Sequence, residues 1–167
     1  MKKDISFNQE MIEAIRNGRK TQTRRPIKKI PPEVYDKIKS ITPHKSSKNG
    51  GLFQTDSKQY SLFIKCRYPV GEVLQVRGCD DLSLKVTSIR AERLQYISSD
   101  DAEAEGIHME FDGNHMWYQD YQKKDTMFKY PSSRVDSFRS LWDSIYNNWS
   151  DNPWVWVISF EKLYKLN

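Results

Sequence analysis

Lys20, Thr23 and Arg25, together with an acidic residue from a later segment containing Glu103 and Glu105, are the side chains whose types could support a reaction. A hydroxyl is a weak nucleophile until a base takes its proton, and lysine can be that base only when its own pKa is depressed. Arg19, Arg24 and Arg25 surround Lys20 in sequence, and like charges push an ammonium toward neutrality. A carboxylate is then needed on the substrate side to move protons. Spacing alone does not choose between Glu103 and Glu105. A strictly extended chain points Lys20 and Thr23 to opposite faces, so the scheme requires a turn between them, just after Gly18.

The same region carries the chain's charge imbalance. The net charge is +5. Residues 16 to 29, RNGRKTQTRRPIKK, contain Arg16, Arg19, Lys20, Arg24, Arg25, Lys28 and Lys29 and no acidic residue, and setting these seven aside leaves 20 of the 27 basic residues against 22 acidic ones. A charge run is either a solvated face or the footprint of a polyanion. Arg24, Lys28 and Lys29 extend this run toward its C-terminal end.

Other groupings carry less chemistry. His108 and His115 lie near Glu110 and Asp112 at spacings that match no metal motif, so they read as surface residues, and neither a metal nor a cofactor is expected. Asp80-Asp81 and Asp100-Asp101 sit at the starts of elements, where acids serve as caps and turn formers. Trp154 and Trp156 alternate in an apolar run and read as core. Cys66 and Cys79, with no CxxC spacing, read as reduced thiols.

A chain of 167 residues fits one domain, and no linker or repeat divides it. The start MKKDISF lacks the apolar stretch of a signal peptide and no segment has the length of a membrane span, so a soluble cytoplasmic protein with no membrane partner is expected. A strand over Ile5–Phe7 leads to a helix capped by Asn8, striped by Met11, Ile12 and Ile15, and stopped at Asn17-Gly18. Arg19 and Lys20 then follow a helix C-terminus, where the dipole favours cations. Thr21–Arg25 reads as extended, residues 30 to 40 as a short helix after Pro31-Pro32, and 44 to 51 as a loop. A hairpin over 51–55 and 59–65, strands at Val73–Arg77 and Leu82–Leu94, and a helix over ISSDDAEAEGI with Ser98 and Asp101 as capping box follow. Residues 109 to 133 read as a mobile loop, Val135–Asn147 as a helix, and WVWVISFEKL as a central strand. Short strands with helices after the first strand and between later ones suggest a small α+β barrel.

Gly18, Lys20 and Arg25 match the GxKxxxxR signature of ASCH domains, the PUA-like β-barrels. Further blocks, FNQEMIEAIRNGRKTQTRRP, YPVGEVLQVRG, VTSIRAERLQYISSDDAEAEGI, FRSLWDSIYNNW and NPWVWVISFEKL, resemble ASCH-like proteins of bacteriophages and prophages over more than half the chain. The resemblance implies a single ASCH/PUA-like domain over residues 1 to 167, with insertions near 27–66 and 107–134, working in a bacterial cytoplasm. The segment GRKTQTRR is also similar to that of bacterial acetylcytidine amidohydrolases. This implies Lys20, Thr23 and Glu105 as catalytic residues. Thr23 would attack the acyl carbon of a modified cytidine, Lys20 would take its proton, and Glu105 would assist the leaving amine. Arg25, with Arg19, Arg24, Lys28 and Lys29 around it, would bind the nucleoside, RNA or single-stranded nucleic acid. The competing expectations are a non-catalytic RNA-binding module, a ribonuclease, and a phage accessory protein with a protein partner at the aromatic loop 116–130.

Overall fold

Short strands and inserted helices form a mixed α+β fold in the computed structural model, which describes residues 3–28, 30–31, 38–42, 49–55, 61–122 and 131–163. Strand β1 (Lys3–Ile5) precedes helix α1 (Gln9–Arg16), whose N-cap Asn8 accepts a 2.8 Å hydrogen bond from the Met11 amide. The strand thus ends two residues earlier than the expected Ile5–Phe7. Ser6 and Phe7 leave the sheet to reach the cap, and Phe7 becomes available to a cavity instead.

The remaining strands are β2 (Gln22–Pro26), β3 (Ile38–Thr42), β4 (Gly50–Thr55), β5 (Ser61–Lys65), β6 (Val73–Val76), β7 (Ser83–Arg93), β8 (Met109–Phe111), β9 (Met116–Tyr118) and β10 (Trp154–Leu163). Helices α2 (Ser99–Ala104) and α3 (Arg134–Ile145) lie between later strands. The main sheet has the order β1-β6-β7-β10-β2, and β3-β4-β5 form a second sheet. Among the described residues these ladders are separate and do not close into one hydrogen-bonded barrel. The expected central strand is central: β10 pairs antiparallel with β7 on one side and β2 on the other.

Two expectations change. Residues 38–40, expected to end a helix, form β3 with Ile41 and Thr42 because the segment pairs with β4, Ile38 facing Thr55; residues 32–37 of that expected helix and 44–48 of the expected loop lie outside the described residues. Residues 109–122, expected as an irregular loop, contain the hairpin β8–β9, with Phe111 paired to Met116. Its turn is made by Asp112, whose Oδ1 accepts from the amides of Asn114 at 2.9 Å and His115 at 2.8 Å. An Asx turn of this kind replaces the hydrophobic alternation that usually announces a hairpin. Residues 123–130 lie outside the described residues.

Alternation along β10 divides the interior. Trp154, Trp156, Ile158 and Phe160 face one core with Phe53, Leu74, Leu84 and Val86, between the two sheets. Val155 and Val157 face a second core with Leu94, Ala102, Phe138, Leu141 and Trp142, beneath the helices. Each such side chain, fully buried, contributes about 1.5–3 kcal/mol, so burial on both faces makes β10 the strand on which both cores depend.

Candidate functional site

The chain turns at Gly18, but this turn precedes Lys20 and does not separate it from Thr23, as the scheme requires. Gly18 adopts φ +76°, a conformation that costs glycine little, and its amide donates to Ile15 O at 3.0 Å while Lys20 N donates to Ala14 O at 3.0 Å. The chain therefore folds back along α1 and meets the end of α2, where Lys20 forms an isolated β-bridge with Glu105. The amide of Thr21 donates to Ala104 O at 2.9 Å, after which β2 begins.

Lys20 and Glu105 are brought together. Lys20 is 3% exposed, and its Nζ donates to Glu105 Oε2 at 2.8 Å and to the Glu105 carbonyl at 2.7 Å. Burial holds the Lys20 ammonium below the ordinary lysine value; the Glu105 charge opposes that shift, and Arg25 and Arg24 add to it. Glu103, the alternative that spacing left open, stands more than half exposed and faces Arg134 at 3.4 Å. Position at the C-cap of α2, rather than within it, turns Glu105 inward.

The alternation of β2 separates the other candidates. Arg24 lies opposite Val157 and Thr23 opposite Ile158, so Arg24 faces the helices and Thr23 the core between the sheets. Arg24, expected to bind substrate, has its side chain fully buried and enclosed by three carboxylates: Glu105 Oε1 at 3.1 Å, Asp101 Oδ2 at 2.8 Å and Glu92 Oε1 at 2.5 Å. Its role is internal, with Nε left without a partner among the described residues. Arg90 and Gln22 hold the same Asp101 carboxylate at 2.8–3.1 Å. Desolvation pushes the Asp101 carboxyl up, but the hydrogen bonds from Gln22 and Arg90 and the charges of Arg24 and Arg90 outweigh it and bring it down to about 2. Thr23 is 1% exposed and its hydroxyl bonds neither Lys20 nor Glu105.

An open cavity of about 490 Å³ lies beside this network. Phe7, Tyr68 and Tyr146 give it aromatic walls, Arg25, Arg67 and Arg77 give it positive charge, and Glu105 and Arg24 reach it from the network; Lys20 and Thr23 do not line it. Arg25 donates to the Ser6 carbonyl at 2.8 Å and the Arg24 carbonyl at 3.1 Å, and its guanidinium lies 5.2 Å from the Phe7 ring centre. Backbone carbonyls orient it without neutralising it.

The other expected binding residues are dispersed. Arg19 turns toward the hairpin, donating to Gly106 O at 3.3 Å and to His108 Nδ1 at 2.5 Å, while His108 Nε2 meets Glu110 at 2.8 Å. Lys28 is exposed beyond β2, and Lys29 lies outside the described residues. Cys66 and Cys79 are free and buried, and burial pushes the Cys66 thiol up. Sequence reasoning missed Glu92, Phe7, Arg67, Arg77 and Tyr146, which come from five separate segments. It read Asp101 as a cap residue only, whereas that residue donates its amide to Ser98 Oγ at 3.1 Å and its carboxylate also serves Arg24 and Arg90.

No family model matches the chain, and no curated protein matches it. The chain is similar to the crystal structure of hypothetical protein PH0355, with a TM-score of 0.49 and 14% identity, over 98% of this chain and 100% of that one. Among the described residues no helix is long and apolar enough to cross a membrane.

Proposed function

We propose that the chain is an ASCH-like domain whose cleft engages a nucleotide or single-stranded RNA. The facing sheets would be the walls of the PUA-like barrel, and the cavity beside Glu105 its ligand site. The observation that carries this reading is the lining of that cavity: Arg25, Arg67 and Arg77 form no ion pair with a carboxylate among the described residues, and they share that lining with Phe7, Tyr68 and Tyr146. Cations for phosphate and ring faces for bases are what single-stranded nucleic acid requires. Arg24 contributes no free charge, because three carboxylates enclose it.

Titration with cytidine monophosphate and with single-stranded RNA over a range of salt concentrations tests the reading. Affinity for RNA should fall with salt at a logarithmic slope of about −0.7 per phosphate contact, and Arg67→Glu or Arg77→Glu should weaken binding at least tenfold. Binding indifferent to salt and to both reversals overturns it.

The second reading is hydrolysis of an acylated cytidine, and the 2.8 Å contact of Lys20 with Glu105 favours it. Lys20 would first hand its proton to Glu105; Thr23 Oγ would then bond to the acyl carbon and pass its own proton to the neutral Lys20, the acyl–nitrogen bond would break as Glu105 gives its proton to the departing amine, and water would release the acid from the acyl-threonine. The reaction needs Thr23 to leave the core-facing side of β2. Purified protein should then release acetate from N4-acetylcytidine, and Thr23→Ala should abolish this while leaving the fold intact; equal activity in that variant removes the reading.

A further inference from the structure

A second cavity, of about 370 Å³, lies next to the first and shares four lining residues with it: Arg25, Arg67, Tyr68 and Tyr146. Its remaining walls include Ile64 from β5, Cys66 just after it, and Trp156 and Ile158 from β10, and its rim carries Lys28 and Lys65. Among the described residues, four cations and no acidic residue line it. The first cavity differs, since Asp4 and Glu105 also line that one.

From this arrangement we infer that the two cavities are successive stations of one groove, which takes two or more linked nucleotides of a single strand rather than one nucleotide. The inference rests on the function proposed above and names the length of its ligand. A base entering the first cavity meets Phe7 and Tyr146, and its neighbour along the strand enters the second, against the apolar wall of Ile64 and Trp156. The boundary between them is formed by Arg25 and Arg67, where a connecting phosphate would need charge. Tyr68 is buried beneath that boundary, with its hydroxyl donating to the Asp4 carbonyl at 3.3 Å and the Arg67 guanidinium 5.4 Å over its ring. The stacked Arg67 is thereby directed along the groove. Arg25 is fixed from the other side by the Ser6 and Arg24 carbonyls. Neither arginine is ion-paired to a carboxylate among the described residues, so both charges stay available to the strand. Lys28 and Lys65 are exposed at the far rim and continue the cationic track beyond the second station.

The probes are cytidine monophosphate and the trinucleotide CpCpC, titrated calorimetrically into the full chain. The trinucleotide, with two phosphates to the monophosphate's one, should bind at least tenfold more tightly, with a salt slope steeper by about 0.7. Lys65→Glu, an exposed change that touches the second cavity alone, should remove most of that advantage and leave affinity for the monophosphate unaltered. Trp142 lines only the first cavity and Trp156 only the second, so the trinucleotide should change tryptophan fluorescence beyond what the monophosphate does, and that extra change should vanish in Trp156→Phe. If the monophosphate binds and the trinucleotide gains nothing, the groove is overturned while the single-nucleotide function stands. Equal weakening of both probes by Lys65→Glu also overturns it. If neither probe binds, the function itself falls and the groove with it.

Discussion

Glu105→Gln isolates the chemistry of the buried lysine. The wild-type carboxylate accepts from Lys20 at 2.8 Å and from Arg24 at 3.1 Å, with both cations almost wholly buried. Arg24 keeps Glu92 and Asp101 after the substitution, whereas Lys20 loses its ion-pair partner. Removing one member of a buried pair costs about 3–5 kcal/mol. Lysine has an escape, which is to give up its proton. From an ordinary value of 10.5 that release costs about 5 kcal/mol at pH 7, at 1.36 kcal/mol per unit, and about 2 kcal/mol at pH 9. The substitution should therefore destabilise the fold by about 3–5 kcal/mol at pH 7 and by about 2 kcal/mol at pH 9. The direction follows from proton counts. Above the depressed pKa of the folded variant, the unfolded chain holds one more proton on residue 20, so stability rises with pH until the unfolded value is passed. In the wild type Glu105 resists loss of the proton, and the slope is shallower. Urea denaturation followed by tryptophan fluorescence at pH 7, 8 and 9 measures both proteins. A variant within about 1 kcal/mol of wild type at pH 7, or a deficit equal at pH 7 and pH 9, would refute the stranded-lysine reasoning.

Asp101, lowered from 3.8 to about 2, contributes stability that is complete above pH 4 and is lost as the pH falls toward 2. With solvent screening at this partly exposed site the loss is about 1–2 kcal/mol, and Asp101→Asn should flatten the acid limb of the denaturation profile. Gly106→Ala places a Cβ 3.2 Å from the Cβ atoms of both Ala14 and Lys20 at φ +99°, so a loss of about 2 kcal/mol or more in thermal or urea unfolding is expected. Ser98→Ala removes the hydroxyl that accepts the Asp101 amide at 3.1 Å and should cost about 1 kcal/mol by the same measurement.

What could be read in advance was whatever a few neighbouring residues decide. Asn8, the Met11–Ile12–Ile15 stripe and Gly18 specify α1 and its stop through local capping and backbone chemistry. WVWVISFEKL announces a strand buried on both faces because it contains no polar alternation at its start. Long-range pairing decides the rest. Arg24 and Arg25 are adjacent and chemically alike, and only the register of β2 on β10 encloses the first in carboxylates and leaves the second at the cavity with its charge unpaired among the described residues. The choice of Glu105 over Glu103 depends likewise on the turn of Gly18 bringing Lys20 against the end of α2. Arg67 and Arg77 carry no local sign of their position, since the first follows β5 and the second follows β6, and the fold alone brings both to one opening.

The pairing of β2 with β10 joins Gln22 to Ser159 and Pro26 to Val155. These partners lie roughly 130 residues apart in sequence, so this ladder closes at a large entropic cost and late in folding. Arg25 and the Lys20–Glu105 pair hang on that closure. A partly folded chain can contain α1, β6 and β7 and still lack the cleft. Ligand binding should consequently report on the complete fold, and a ligand that binds there should raise the denaturation midpoint with the logarithm of its concentration above Kd. Competence to bind would then arrive all at once, with the last ladder to close.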